Sequence, residues 1–177
     1  MPKKSNPPRL TTNELEVAQA SDDWLVRYLA MERYSKQKPS IDALPILRGA
    51  LADPYHGTVK SAAISLRKLG SAATDAMDDL FVAADNIDPA TKVPQCYPAC
   101  VEAMAAIQPT HAALVPFIKK HSKSYCNWVP ISCSLRALKV IGTDESITLL
   151  REIAEFWQPK LNKMQRRVVE ELQADIK

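Results

Sequence analysis

The sequence matches itself at an offset of 33 residues, and this constrains the fold more than any other feature of the chain. When residues 22–51 slide by 33 positions, Val26 falls on Val59, Arg27 on Lys60, Ala30 on Ala63 and Asp42 on Asp75. In the same register Ala43 falls on Ala76, Leu44 on Met77, Leu47 on Leu80 and Ala50 on Ala83. The matches cross two successive segments whose apolar residues recur three and four positions apart, the spacing of one helix face. Amphipathic periodicity alone does not preserve one register through the turn between two helices. The stretch therefore reads as a duplicated two-helix unit.

The pattern continues downstream with looser spacing. Ala103 to Ile107 followed by His111 to Ile118 reads as a third pair, with Ala113, Leu114 and Phe117 matching Ala43, Leu44 and Leu47. A fourth pair begins near Val129, where Leu138 to Thr143 resembles Leu66 to Ser71, and Ile147, Leu149, Leu150 and Ile153 supply its second helix. Thr143 followed by Asp144 and Glu145 predicts an N-cap with acidic residues facing the positive helix end. Pro159 predicts a stop, and a final helix from Asn162 to Asp175 closes the series. Between pairs two and three, Asp85 to Pro94 lengthens the period and reads as an inserted loop or short turn.

Composition agrees with helices almost throughout. The chain has 177 residues, 46% of them hydrophobic, with 4 glycines and 6% aromatic residues. A chain of this length buries enough surface to form a core without a disulfide or metal staple. No apolar run is long enough to cross a bilayer, so no membrane association is expected. Residues 1–10 hold three prolines and three basic side chains. They read as a flexible or extended arm without the apolar stretch of a secretory signal, leaving 11–177 as one domain. A cytoplasmic location follows as an expectation, in keeping with reduced cysteines.

Asp53-Pro54 precedes Val59-Lys60-Ser61-Ala62-Ala63-Ile64-Ser65-Leu66-Arg67-Lys68-Leu69-Gly70, and Asp22 to Ala30 follows the same outline more loosely. An Asp-bearing turn, Val followed by a basic residue, Ala four positions after Val and a closing Leu-Gly resemble the HEAT-like repeat family. The likeness is to the short version found in phycobilisome-lyase-related proteins, and it covers about residues 21–157. The resemblance implies an all-α fold: a right-handed α-solenoid of about four helical pairs plus a C-terminal capping helix, with the second helices forming a concave surface. It says little about activity, because the family includes scaffolds, inhibitors, lyases and nucleic-acid enzymes. The positions also make physical sense without it. Ala62 and Ala63 permit close helix approach, and Val59, Leu66 and Leu69 form an apolar stripe. An Asp in the turn caps the next helix, and the basic residue after Val can answer a neighbouring Asp as a ladder along the stack. The Thr-Pro-Leu-His start of ankyrin repeats and the Trp…Leu-Gly…Tyr arrangement of tetratricopeptide repeats are missing.

Candidate chemistry is sparse. Cys96, Cys100, Cys126 and Cys133 lack paired CxxC spacing and read as buried thiols packed like small hydrophobes. A metal site can be drawn from Cys96 and Cys100 with His111 and His121, but no cofactor is expected. His56, His111 and His121 fall at predicted turns or helix ends and read as solvated. Asp75, Asp78 and Asp79 form an acidic patch that a helix N-terminus favours by itself. An alternative reading, a DNA-binding or glycosylase-type enzyme, would recruit Trp24, Trp128 and Trp157 with Lys119, Lys120, Lys123, Arg166 and Arg167. Against it, the net charge is only +3 and basic residues are interleaved with acids along the chain. The expected function is therefore non-enzymatic recognition of a partner protein by a monomer, as an inhibitor such as an immunity protein acting on a toxin, or as an adaptor. The residues that point to it are Arg48, Asp78, Asp79, Phe81, Lys119, Arg151 and Glu155 on the second helices. Tyr55 and His56, in the first inter-repeat loop, join them.

Overall fold

A computed structural model describes residues 8–86, 96–124 and 127–174, and among these residues there are helices and turns but no strand. The helices are α1 (Thr12–Gln19), α2 (Trp24–Ser35), α3 (Leu44–Ala50), α4 (His56–Leu69) and α5 (Met77–Asp85). They continue with α6 (Tyr97–Ile107), α7 (Leu114–His121), α8 (Trp128–Ile141), α9 (Asp144–Trp157) and α10 (Lys163–Ala174). Short 3-10 segments occupy Ile41–Ala43, Gly70–Ala76 and Gln158–Lys160.

The sequence register is a structural register. A 3-10 segment gives way to α-helix between Ala43 and Leu44, and again between Ala76 and Met77. Ala43, Ala76, Leu47 and Leu80 all have no exposed surface. Caps lie where short polar side chains precede apolar periodicity. Thr11 and Glu14 form a capping box on α1, Asp23 Oδ1 accepts the Leu25 N–H, and Asn127 Oδ1 accepts the Val129 N–H. Thr143 caps α9 as its sequence suggests, accepting the Ser146 N–H. Beyond Pro159, Asn162 and Gln165 exchange side-chain to backbone hydrogen bonds and start α10.

Helices α2, α4, α6 and α8 pack in succession, each on the next, and α10 closes on α8. This first row is lined with small side chains: Ser61, Ala62, Ala63 and Ser65 of α4, Cys100, Ala103 and Ala105 of α6, and Ser134 and Ala137 of α8 are all buried. Helix axes approach according to the side chains between them, so small residues bring this row close together. The other row is joined by larger groups. α1 lies against α2 and α3, α3 reaches the second pair through the 3-10 segment, and α7 meets α9. Phe81 of α5 meets Phe117 of α7 edge to face, and Trp157 of α9 is buried with its indole N–H on the Ser122 carbonyl. One contiguous apolar core runs from Leu15 to Val169. Each fully buried leucine in it contributes about 1.5–3 kcal/mol.

Several expectations change. Helices α2, α4, α6 and α8 have 11 to 14 residues, whereas α3, α5 and α7 have only 7, 9 and 8. α1 precedes the first expected pair. The last residues of the arm are tied down: the Leu10 N–H donates to Gln37 Oε1, and Gln37 Nε2 donates to the Leu10 carbonyl. Most of the insertion after Asp85, residues 87–94, lies outside the described residues, as do residues 1–7 and Cys126. Cys96, Cys100 and Cys133 are free and buried, as their spacing suggests.

Candidate functional site

The second-helix residues singled out from sequence do not make one exposed constellation. Arg48 of α3 and Asp79 of α5 neutralise each other at 2.6 Å, with Asp78 exposed alongside. Phe81 is half-buried, its ring 5.1 Å from Phe117 and 5.3 Å from His111, so it holds α5 to α7 instead of facing a partner. Lys119 borders a cleft of about 250 Å³ with Asp144, Glu145 and Glu152, while Arg151 and Glu155 are exposed on α9. His56 is the first residue of α4, not part of a loop, and Tyr55 is its N-cap residue. The Tyr55 ring packs between Trp24 at 4.6 Å and Tyr28 at 5.1 Å. Gly57 makes this packing possible, since a Cβ there would stand 2.5 Å from the Tyr55 ring.

His121 overturns the expectation of a solvated histidine. It is buried at the end of α7 against the rings of Phe117 and Tyr97, with Nε2 3.0 Å from Asp85 Oδ1. The three tryptophans are not brought together either. Trp24 is exposed beside Tyr55, Trp128 is half-buried at the start of α8, and Trp157 is buried.

What the sequence reading missed is a division of charge between the two rows. Helices α2, α4, α6 and α8 carry Arg27, Arg33, Lys60, Arg67, Lys68, Arg136 and Lys139 against Glu32 and Glu102, a formal +5. Helices α3, α5, α7 and α9 carry Arg48, Lys119, Lys120 and Arg151 against Asp78, Asp79, Asp85, Asp144, Glu145, Glu152 and Glu155, a formal −3. Helix dipoles favour part of this arrangement. Arg67 and Lys68 stand in a last turn, and Asp78, Asp79, Asp144 and Glu145 stand in first turns. Because the two sets of helices alternate along the chain, their opposite excesses are interleaved in sequence. Summing charge over alternate predicted helices would have revealed it.

At the centre of the basic row, Glu102 of α6 lies between two arginines. Its Oε2 accepts Arg67 Nη1 from α4 at 2.5 Å, and its Oε1 accepts Arg136 Nε and Nη2 from α8 at 3.0 and 2.8 Å. Arg136 Nη2 also lies 3.0 Å from Cys133 Sγ. The arginines remain 42% and 47% exposed, against 21% for Glu102, so solvent reaches them more freely than the carboxylate that joins them. Beside this triad a cleft of about 240 Å³ opens between Ala105 and Ala106 of α6 and Ala137 and Val140 of α8. Two cations share one anion next to alanine methyl groups.

Among the described residues no group of three His, Cys, Asp or Glu side chains is placed to hold a metal ion. No helix in them is long and apolar enough to cross a membrane. No protein-family model matches the sequence, and no curated protein matches it.

Proposed function

We propose that the chain is a non-catalytic binding module that recognises an acidic partner protein through the outer face of α2, α4, α6 and α8. In this reading α2/α3, α4/α5, α6/α7 and α8/α9 are four HEAT-like pairs of an α-solenoid, with α1 ahead of them and α10 as the closing helix. Each pair lends its apolar flank to the next, and the long surface left over serves for recognition. The observation that carries the proposal is the charge division, +5 on one row against −3 on the other. Opposed charge steers a partner to one face and suppresses docking on the other. Packing supports the same face. A stack bends toward the row whose members approach most closely, and the small residues between α4, α6 and α8 support a concave side there. The binding face thus differs from the second-helix face that the sequence alone points to. An inhibitor or adaptor role follows from a surface that holds a partner without transforming it.

Charge reversal on each row tests this. Tagged full-length chain and two variants are used to recover partners from cells that make the protein, namely Lys60→Glu with Arg67→Glu, and Asp78→Lys with Glu155→Lys. A protein partner retained by the second variant and lost by the first is expected. Loss through the second variant alone rejects the first-helix face, and recovery of nucleic acid without protein rejects a protein partner.

A further inference from the structure

Resting on that reading of the first-helix face, we infer that the Arg67–Glu102–Arg136 triad and its alanine-lined cleft form the anchor point. They receive a carboxylate of the partner together with a neighbouring small apolar side chain. The triad is one anion short. Glu102 engages one nitrogen of Arg67 and two of Arg136. Among the described residues no acceptor meets Arg67 Nε, Arg67 Nη2 or Arg136 Nη1. These donors belong to planar forks whose geometry matches a second carboxylate.

The cleft decides what accompanies that carboxylate. Its floor and wall are Ala105, Ala106, Ala137 and Val140, which offer methyl groups and no side-chain hydrogen-bonding atom. At about 240 Å³ it falls below the roughly 300–1,000 Å³ of sites that enclose a drug-sized ligand. It suits one aliphatic side chain. A phosphate backbone fits less well. The methyl-lined floor gives nothing to a sugar edge, whereas it packs against an aliphatic side chain next to a carboxylate. The arrangement therefore favours an acidic peptide segment in which carboxylates alternate with aliphatic residues.

The inference is tested by fluorescence anisotropy on the full chain. The probe is a fluorescein-labelled peptide alternating aspartate with leucine, set against the same peptide carrying asparagine for aspartate and against a labelled oligo-dT strand. The aspartate peptide is expected to bind best. Arg136→Ala, and replacement of its aspartates by asparagine, should each weaken it by about ten-fold, the scale of one charge-assisted pair. Ala106→Leu fills the cleft from an exposed position without changing charge, and should weaken binding comparably while helical circular dichroism stays unchanged. Equal affinity of the Ala106→Leu variant, equal binding of the asparagine peptide, or tighter binding of the oligonucleotide overturns the inference. Loss of binding in Lys60→Glu with full binding in Ala106→Leu also overturns it, while leaving the broader basic-face reading intact.

Discussion

Arg27 of α2 and Asp53, in the turn leading into α4, form an enclosed ion pair between the first two first-row helices. Nε lies 2.6 Å from Oδ2, with the side chains 15% and 5% exposed. Arg27 Nη1 also donates to the carbonyls of Ser21 and Asp22, and Asp53 Oδ1 accepts the Tyr55 N–H at 2.7 Å. One pair thus fixes the turn before α2 to the turn before α4. A carboxylate held this far from solvent is costly to leave without its partner.

Asp53→Ala should lower the thermal midpoint by several degrees. Asp53→Asn should lose less, because an amide oxygen can still accept the Tyr55 N–H. Arg27→Lys should resemble the alanine variant more than the wild type, since an ammonium cannot hold the carboxylate and both carbonyls at once. Thermal unfolding followed by circular dichroism ranks the three. A midpoint for Asp53→Ala equal to that of wild type would remove the pair as an organising contact.

Two glycines end the two 14-residue helices of the first row, and their substitution should not cost the same. Gly142 has φ 68° and ψ 9°, the left-handed helical conformation, while Gly70 has φ 59° and ψ −140°, near a region that only glycine occupies readily. Space is not the issue: nothing lies within 4 Å of a Cβ built on Gly70, and the nearest atom to one on Gly142 is 3.7 Å away. Gly142→Ala is expected to cost about 1 kcal/mol, and Gly70→Ala about 2 kcal/mol. Gly142→Asn should be close to neutral, because Asn visits the left-handed region, whereas Gly70→Asn should not. Denaturant titration of the four variants gives the order, and equal costs at both positions would show that backbone conformation does not set them.

The helices were legible because their determinants are local. Ala43 and Leu47 open a helix that packs on the one following it, α3 on α4, and Ala76 and Leu80 do the same where α5 packs on α6, so elements adjacent in sequence carry the information of a 33-residue repeat. The proposed binding surface was not legible for two physical reasons. Charge was summed over a chain whose alternate helices carry opposite excesses, so +5 and −3 largely cancelled. Moreover, Arg67 and Glu102 are 35 residues apart and Glu102 and Arg136 are 34. The insertion after Asp85 shifts the register between the second and third pairs, so a 33-residue slide does not align these three positions. His121 was misread for a related reason. A helix end is solvated by default, and the approach of Tyr97 and Asp85 from other helices helps to enclose this one.

Cys96, Cys100 and Cys133 should be chemically silent in the folded protein. Burial pushes Cys96 up to about 11, and Cys133 up to about 11 with the Glu102 carboxylate adding to the effect. Burial raises Cys100 further, with Cys96 contributing. At pH 8 a thiol near 11 is ionised on the order of one part in a thousand, and the thiolate is the reactive form. Iodoacetamide at that pH should leave Cys96, Cys100 and Cys133 unmodified in native protein and alkylate all three in guanidinium, as read by peptide mass mapping. Rapid native alkylation of Cys133 would mean that its place beside Arg136 opens to solvent.

His121 makes stability depend on pH with a defined sign. Burial lowers its pKa, Asp85 opposes the shift, Lys120 adds to it, and the net value lies below the ordinary one. The folded state therefore resists protonation while the unfolded chain takes up a proton near the usual value of about 6.5. The stabilisation is fully present above that value and is lost as pH falls toward the folded pKa, because the unfolded state then binds more protons. Stability should accordingly decline as pH falls below about 7, and His121→Gln, which carries no imidazole to protonate, should flatten part of that decline. Denaturant unfolding of both proteins at several values across the window reads the difference in slope. Parallel curves would place the titration elsewhere, and a steeper decline in the glutamine variant would mean that Asp85 outweighs burial and holds the imidazole charged.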